Sequence, residues 1–285
     1  MLKIIILGTG RAGGALGIAL DRAGHHIETL IHHTRPANLP LRRIRELALD
    51  SVTEIAADLL IVATPDPAIN STAKRIAQLD RLPEFALHLS GSLSSGELEP
   101  LKGRGVWVGS MHPLLSISDP IRSADHFKET YFCVEGDEEA LKIARKLVLS
   151  LGGKPFSIET ESKPLYHAAA VMASGNVTAL FDAAIEMLSN CGLTRQSSHA
   201  VLLPLLRSSV DNLGEKTTSE ALTGPFARGD LEAFRRHLTA LEGLDDEGIR
   251  EIYLALAERS TRLGGSEHLV EILNSISIAK GVRGC

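Results

Sequence analysis

Apolar residues recur along the chain in two different periods, and the change from one to the other divides the sequence. Short aliphatic runs alternate with amphipathic stretches in the first part, which predicts buried strands alternating with helices. The strand-like runs lie at 3–7, 26–31, 59–63, 85–89, 106–108, 130–134 and 156–158. From Lys163 onward the strand signals end. The pattern predicts a doubly wound α/β domain over 1–158 and an all-α helical domain over 159–285.

The helical spacing also predicts where individual helices lie. In the second domain we expect helices at 164–190, 196–213, 230–243, 246–263 and 267–280. Asp230 and Ser266 suit N-cap positions, and Pro204 is expected to kink or break its helix. The first domain predicts helices at 12–23, 68–79 and 138–151, a helical piece at 42–49 and a turn at 64–67, where two prolines occur.

Three glycines follow the first strand at once, in the spacing G-x-G-x-x-G, and an amphipathic helix follows them. Gly8 permits a tight turn, Gly10 lets the backbone approach a pyrophosphate, and Gly13 lets the helix pack close to the strand. The alternative is a glycine-rich turn of some other α/β protein. The strand before the loop and the helix after it favour a dinucleotide site, formed by Gly8, Thr9, Gly10, Arg11, Ala12 and Gly13.

The end of the second strand indicates which dinucleotide binds. A site for NAD usually has an acidic residue there, to bind the ribose 2′-hydroxyl. This chain has His32, His33, Thr34 and Arg35 instead. A hydroxyl and a guanidinium suit the 2′-phosphate of NADP, so we expect NADP(H), with Thr34 and Arg35 on that phosphate and Arg11 nearby. The alternative is that Arg35 only opens a solvated loop.

Polar residues follow several of the predicted strands. The carboxyl ends of parallel strands meet at one edge of a sheet, where ligands bind, so these residues are candidates for one site. Thr64, Pro65 and Ser90 are expected beside the cofactor. His112, followed by Pro113, is a candidate acid, donor or positioning group. Its alternative role is a structural histidine at the end of a strand.

Lys163 and His167 lie four residues apart at the start of the first long helix, so they share one face of it. Ala170 and Ser174 lie on the same face, and their small side chains would leave room for a ligand. A reductase needs a group that gives a proton to the developing anion, and these two residues are candidates. The alternative is a solvated lysine and a packed histidine.

Residues 221–230 form a further candidate, because a Gly-Pro turn and a Gly-Asp helix start make a rigid loop. Arg228 in this loop is a candidate for binding a substrate carboxylate in a bidentate manner. The alternative is an ordinary connection between helices in which Arg228 pairs with Asp230.

Composition narrows the class of protein. The 285 residues are 44% hydrophobic and 4% aromatic and carry a net charge of −5, so we expect no nucleic-acid partner. Neither a signal segment nor an apolar run near the length of a membrane span is evident, so we expect no membrane partner. The cysteines at 133, 191 and 285 are scattered and match no metal spacing, which predicts a cytoplasmic protein without a metal.

Several motifs occur together in an order that resembles a known bacterial family. They are Gly8-Thr9-Gly10-Arg11, Thr64-Pro65-Asp66, His88-Leu89-Ser90-Gly91, Met111-His112-Pro113-Leu114, Tyr166-His167-Ala168-Ala169-Ala170 and Leu222-Thr223-Gly224-Pro225-Phe226-Ala227-Arg228-Gly229-Asp230. That family pairs a Rossmann-like domain with a helical domain of unknown function. It is similar in architecture to pyrroline-5-carboxylate reductase, to coenzyme-F420-dependent NADP oxidoreductase, and to the 6-phosphogluconate and ketopantoate dehydrogenase group.

The resemblance implies an activity and an assembly. Members are usually labelled NADP oxidoreductases, and some are suggested to be ketopantoate reductases. The dehydrogenase group carries a Lys-x-x-x-Asn pair, which implies that Lys163 is the proton donor, although His167 stands where the asparagine would be. Relatives commonly dimerise through the helical domain. We therefore expect a homodimeric, NADPH-dependent reductase of a small 2-oxo acid such as ketopantoate; the alternatives are a cyclic imine reductase and a non-catalytic NADP-binding sensor.

Overall fold

The computed structural model describes residues 1–33, 39–41 and 44–265. These residues form two compact units that divide between Ser174 and Gly175. The sequence pattern places the division at residue 158, where the strand signals end. The structure has it later, because the first helix after the last strand belongs to the compact unit that contains the sheet.

The first unit is built from strands and helices in alternation. Its strands are β1 Lys3–Leu7, β2 His26–His32, β3 Arg45–Ala48, β4 Leu59–Val62, β5 Phe85–His88, β6 Trp107–Pro113, β7 Tyr131–Gly136 and β8 Lys154–Phe156. Its helices are α1 Arg11–Arg22, α2 Asp66–Ile76, α3 Glu99–Lys102, α4 Pro120–Ser123, α5 Glu138–Ser150 and α6 Lys163–Ala173.

The strands form one sheet in the order β3-β2-β1-β4-β5-β6-β7-β8. Neighbouring strands are parallel except β6 and β7, which are antiparallel. The chain runs outward in one direction from β1 to β2 and in the other from β1 to β4. The strand order therefore reverses beside β1, and such a point is where a doubly wound sheet opens a crevice for a ligand. The predicted doubly wound architecture is confirmed.

Side chains of β1 show why its strand is apolar on both faces. Ile4 and Ile6 belong to the apolar cluster that contains α1 and α5, whereas Ile5 and Leu7 belong to the cluster that contains α2 and α3. Successive side chains of a strand point to opposite faces, so helices cover both sides of the sheet. An uninterrupted aliphatic run is the sequence pattern that this burial requires.

Two local predictions in the first unit are wrong. Within the piece predicted as helical at 42–49, Arg45–Ala48 is a strand that pairs with Thr29–His32, because pairing along the open edge of β2 outweighs local propensity. The predicted turn at 64–67 ends early, since α2 already begins at Asp66. Pro67 is tolerated in the first turn, where its missing N–H would have had no partner within the helix.

The second unit is helical throughout the residues that the structure describes. Its helices are α7 Gly175–Asn190, α8 Arg195–Glu215, α9 Thr218–Ala221, α10 Pro225–Arg228, α11 Leu231–Leu241 and α12 Glu247–Gly264. Phe234 of α11 and Ala257 of α12 are buried at its centre, and Phe226, Leu238 and Tyr253 pack against them.

Helix boundaries in the second region differ from the prediction in two places. The predicted helix at 164–190 is interrupted at Ser174, whose φ of −129° and ψ of −80° are not helical. The helix α8 continues through Pro204, so the expected break does not occur. Asp230 is confirmed as an N-cap, because its side chain accepts a hydrogen bond from the backbone N–H of Ala233 at 3.0 Å. The predicted helix at 267–280 and its cap Ser266 lie outside the described residues.

One segment, Thr160–Asn190, is long and apolar enough to cross a membrane by length and composition, and an 18-residue window within it has a mean hydropathy of 1.4. The expectation that no such stretch exists is therefore wrong. Polar residues such as Ser174 and Asn176 interrupt the segment, so a search for an uninterrupted apolar run does not find it. One such segment is weak evidence for a membrane protein, because length and composition are the only criteria that it meets.

The packing of β7 leads to a test of the first unit's core. Phe132 is fully buried and its ring lies 5.7 Å from that of Phe127. We expect Phe132→Ala to lower the free energy of unfolding of the first unit by about 3–5 kcal/mol, through lost burial and a residual cavity. The measurement is urea unfolding followed by the fluorescence of Trp107, the one tryptophan of the chain. Leu149→Ala, at an exposed position of α5, should change it by less than about 0.5 kcal/mol.

Candidate active site

The glycine loop after β1 has the geometry that its spacing predicts. Gly8 has a φ of +106°, and a Cβ there would lie 2.5 Å from the carbonyl oxygen of Ala63. A Cβ on Gly13 would lie 2.0 Å from the carbonyl oxygen of Gly8, so the first turn of α1 packs directly on the loop. Gly10 has nothing within 4 Å of its Cβ position. Gly8 and Gly13 are therefore needed by the fold, while Gly10 faces open space where a ligand can approach.

A cavity of about 730 Å³ lies against this loop. Its lining includes the predicted cofactor-binding residues Gly8, Thr9, Gly10, Arg11, Ala12, Thr64 and Pro65. It also includes His33, Leu89, His112 and Pro113. The ends of β1, β2, β4, β5 and β6 thus meet at one cavity. Thr34 and Arg35, predicted to bind a 2′-phosphate, lie outside the described residues.

Ser90 belongs to the predicted set but its hydroxyl is occupied within the protein. It donates a hydrogen bond to Oδ2 of Asp66 at 2.9 Å and accepts from the backbone N–H groups of Ser92 and Leu93 at 3.2 and 3.1 Å. Ser92 also donates to Oδ2 of Asp66, at 2.7 Å. Ser90 therefore shapes the turn after β5 and joins it to the start of α2. Its role toward a cofactor stays a prediction.

His88 at the end of β5 was not singled out by the sequence. Its Nε2 lies 2.9 Å from the carbonyl oxygen of Ser94, and its Nδ1 accepts a hydrogen bond from the backbone N–H of Ser90 at 3.1 Å. These partners assign the proton to Nε2. Burial, followed by the charge of Lys163, lowers the pKa of His88 to about 4, so it is neutral near pH 7. The only sequence signal is a histidine inside an otherwise apolar strand.

Two histidines and a tyrosine lie together, and one of them, His112, lines the cavity. Nδ1 of His112 is 2.7 Å from the hydroxyl of Tyr166, and the ring centroids of His112 and His167 are 5.8 Å apart. Burial is the main reason why the pKa of His112 falls to about 4, and His167 and Lys163 add to the effect. His112 and His167, predicted separately from a strand end and a helix face, thus belong to one cluster.

Gly91 explains how the two imidazoles approach the same stretch of backbone. A Cβ on Gly91 would lie 2.6 Å from Cδ2 of His167 and 2.8 Å from Cε1 and Nε2 of His112. A Cβ there would force at least one of the rings to shift, so glycine is the residue that fits while both rings keep these positions. The need for glycine at position 91 comes from this close approach and not from a positive φ, and no local sequence motif predicts it.

Tyr166 is the second residue that the sequence did not single out for a role. Burial raises its pKa, and the neighbouring Cys133 thiol adds to this, so the phenol keeps its proton. Either the phenol donates to Nδ1 of His112 or Nδ1–H donates to the phenol oxygen; both arrangements occupy Nδ1 and leave Nε2 for another partner. When the phenol donates, Nε2 carries the proton.

Lys163 is not one of the described residues that line the cavity. Its side chain is 0% exposed, and its Nζ donates to the carbonyl oxygen of Ser90 at 3.0 Å and to Oγ of Ser110 at 2.6 Å. Burial lowers its pKa, and Glu135, 3.5 Å away, opposes that shift. These contacts do not test whether Lys163 gives a proton to a substrate, so its predicted role as proton donor stays a prediction.

Arg228 lies at the end of α10 and its side chain is exposed. The carboxylate of Asp230 accepts a hydrogen bond from the first turn of α11, so the role of this residue is that of an N-cap. A role for Arg228 in binding a carboxylate stays a prediction. In the described ranges, no group of three or more His, Cys, Asp or Glu side chains is arranged to hold a metal ion, and Cys133 and Cys191 are free thiols.

Two family models match the chain. Residues 1–113 match a Rossmann-like domain, and residues 130–260 match a domain of unknown function, DUF2520. The second match begins just before β7, so β7, α5 and α6 belong to DUF2520 by sequence although they pack in the first compact unit. Among curated proteins, no sequence matches significantly.

Solved structures share this architecture over nearly the whole chain. BF3122 from Bacteroides fragilis, described as a "putative NADP oxidoreductase", is 24% identical, with a TM-score of 0.75 over 92% of this chain and 98% of its own. Protein TM1727 from Thermotoga maritima is 25% identical, with a TM-score of 0.72 over 93% and 99%.

A third structure is more distant and contains a nucleotide. It is the Plasmodium falciparum pyrroline carboxylate reductase with NADP bound, which is 15% identical, with a TM-score of 0.57 over 92% of this chain and 98% of its own. At sequence identities this low, the similarity to these structures shows the fold and not the activity. The two family models and the fold agree with the expectation from the motifs: a match to a Rossmann-like domain over 1–113 is followed by a match to DUF2520 over 130–260.

Proposed function

We propose that this protein is an NADP(H)-dependent oxidoreductase. The observation that carries the proposal is that one cavity, of about 730 Å³, is lined both by the glycine loop and by His112. A dinucleotide held by the loop would therefore reach a group that can exchange a proton. Hydride transfer to a carbonyl or imine carbon needs those two things from a protein.

The glycine loop and the start of α1 fit a dinucleotide. The helix begins without a side-chain cap and has no acidic residue in its first turn, so its N–H groups and partial positive charge suit a pyrophosphate. The open space beside Gly10 leaves the backbone approachable. Thr34 and Arg35 are proposed to bind the 2′-phosphate. NADPH bound here would supply the hydride.

Similar structures support the choice of cofactor and of enzyme class. The Plasmodium falciparum reductase binds NADP, and the Bacteroides fragilis protein is described as an NADP oxidoreductase of the same architecture. The absence of an acidic residue at the end of β2 agrees with that choice, because NAD sites usually have one there.

His112 is the residue that we propose to exchange the proton with the substrate. Its Nδ1 is engaged by Tyr166, so its Nε2 is the atom that remains for the reacting oxygen or nitrogen. Tyr166 fixes the ring orientation, and His167 lines the same cluster. In the reductive direction, the protonated ring gives the proton on Nε2 to the developing anion and becomes neutral, and in the oxidative direction the neutral ring accepts a proton at Nε2.

For the substrate we propose a small 2-oxo acid of the ketopantoate type. The carbon of the ketone accepts the hydride, and its oxygen takes the proton. A cyclic imine is the second candidate, and the lowered pKa of His112 favours it. A neutral imidazole is a poor proton donor, whereas a protonated imine already carries the proton that its reduction requires. The similarity to a pyrroline carboxylate reductase supports the same alternative.

The assembly proposed is a homodimer formed through the helical unit. The helix α8 exposes several large apolar side chains, with Val201 60% and Leu205 64% exposed in the single chain. A chain with such a face usually covers it with a partner, and a second copy is the commonest one. The free thiols agree with a reducing compartment, and we propose the cytoplasm.

The first test is a direct assay. We expect purified protein to consume NADPH in the presence of ketopantoate, and to do so much faster than it consumes NADH, followed by absorbance at the nicotinamide band. Loss of NADPH with pyrroline-5-carboxylate instead would replace the 2-oxo acid by the imine. Tight NADPH binding without turnover on either acceptor would contradict the enzyme assignment and favour a cofactor sensor.

The second test concerns His112. We expect kcat/KM for ketone reduction to fall as the pH rises above the pKa of His112, which is about 4 in the cofactor-free chain, because the proton-carrying form is depleted. His112→Asn should cut turnover by about 10²-fold or more and abolish that dependence. Tyr166→Phe should keep the pH dependence but shift it, since the ring loses its partner at Nδ1. An unchanged profile in His112→Asn would refute the assignment.

The third test concerns the dimer. We expect light scattering to give a mass twice the 30.6 kDa of the chain. Leu205→Glu places a charge on the apolar face of α8 and should shift the mass toward that of one chain, because an unpaired charge in an interface is costly. Circular dichroism should show unchanged helix content. A wild-type monomer, or a dimer unaffected by the substitution, would contradict this interface.

A further inference from the structure

The ammonium group of Lys163 is bound by groups of the protein itself. Its three neighbours are the carbonyl oxygen of Ser90 at 3.0 Å, Oγ of Ser110 at 2.6 Å and Oε1 of Glu135 at 3.5 Å. A lysine ammonium has three protons and no acceptor. Two of its protons therefore have hydrogen-bond partners within the fold, Glu135 adds an ion pair, and the side chain is completely buried.

Glu135, the other member of the ion pair, also accepts several hydrogen bonds. Its Oε1 accepts hydrogen bonds from the backbone N–H of Ser95 and from Oγ of Ser110, both at 2.7 Å. Its Oε2 accepts from Oγ of Ser95 at 2.9 Å and from Oγ1 of Thr160 at 3.4 Å. The pair thus connects β6, β7, the segment after β5 and the residues just before α6.

Residues 90–95, which we call the β5 segment, are bound at both ends by this pair. Lys163 binds the carbonyl of Ser90 and Glu135 binds Ser95. His88 adds two further bonds within the segment, to Ser90 and Ser94. Gly91 lies between these attachments, in the place where its Cβ position is 2.8 Å from Nε2 of His112.

We propose that Lys163 is a positioning residue and not the proton donor. Together with Glu135 it holds the β5 segment so that the backbone of Gly91 stays between His112 and His167. His112 then exchanges the proton with the substrate. This inference rests on the proposed function for its catalytic consequence, and it reverses the role that the family resemblance implies for Lys163.

The charge of Lys163 also lowers the pKa of His112, which an uncharged side chain at this position would not do. His112 faces His167, Tyr166, His88, Lys163 and the carboxylate of Asp66. Among these, Lys163 lowers the pKa of His112 and Asp66 raises it. Removing the ammonium should therefore raise the pKa of His112, and a residue that served packing alone would leave it unchanged.

The test compares Lys163→Gln, Glu135→Gln and the double variant. Either single change leaves a buried group without its partner, so the thermal midpoint and kcat should both fall, kcat by about 10-fold or more. The double variant is neutral, and its amide at position 163 keeps a hydrogen-bond donor for the carbonyl of Ser90. Its thermal midpoint and its kcat should recover together, with kcat within about 5-fold of wild type. NADPH affinity should stay unchanged throughout.

A proton donor would behave differently. If Lys163 gives the proton, the double variant regains its thermal midpoint but remains about 10²-fold or more below wild type in kcat, and this result would overturn the inference. Ser95→Ala extends the test if the double variant fails to fold. It removes one bond from the β5 segment to Glu135 and leaves Lys163 intact, so kcat should fall under our inference and be unchanged if Lys163 is the donor.

Histidine NMR separates this inference from the proposed function. The pKa of His112, assigned with His112→Asn, should rise in both variants that lack Lys163, whether or not any substrate is turned over. No change in that pKa would overturn the inference, while a wild-type protein inactive on every acceptor would overturn the proposed function alone. Lys142→Gln, at an exposed lysine paired with Glu138 and Glu139, is the matched control and should change neither readout.

Discussion

A lysine and a glutamate buried next to each other constrain the site through their hydrogen bonds to four residues of the first unit. Moving either charge out of water is costly, and the cost is offset only when the two charges and every remaining hydrogen-bonding atom find partners. Lys163 and Glu135 meet that condition by binding Ser90, Ser95, Ser110 and Thr160. The elements that carry these residues cannot move apart without exposing an unpaired charge to a medium that does not solvate it.

This constraint complements the one that the sheet supplies. Parallel strands bring their carboxyl ends to one edge, and the reversal of strand order beside β1 opens a crevice there. That arrangement places the glycine loop, Thr64 and His112 around one cavity, but it does not set the distance between side chains. The ion pair and the β5 segment provide the finer control, since they place Gly91 where two imidazoles approach its backbone.

Residues with a local sequence signal could be predicted, and those defined by distant contacts could not. The glycine spacing and the apolar runs specify the loop, the sheet and the cavity, because each depends on neighbours in the chain. The bonds of Lys163 to Ser90 and Ser110 span 73 and 53 residues, and that of Glu135 to Ser95 spans 40. Helical periodicity correctly grouped Lys163 with His167 but carries no information on which of the two is buried. Strand β3 was missed for the same reason, because it forms by pairing with β2.

The electrostatics of the cluster bear on the kind of substrate that fits it. His88 and His112 both have pKa values lowered to about 4, and the nearest ammonium is engaged within the protein, so among the described groups none of these three offers a readily available proton near pH 7. A bound dinucleotide would change this balance, because its phosphates are anionic and favour protonation of a nearby imidazole. An acceptor that arrives already protonated would not need that help. Binding of the cofactor and protonation of His112 are therefore coupled for a ketone, whereas an iminium ion needs no such coupling. This difference follows from the lowered pKa of His112, to which burial contributes most and His167 and Lys163 add.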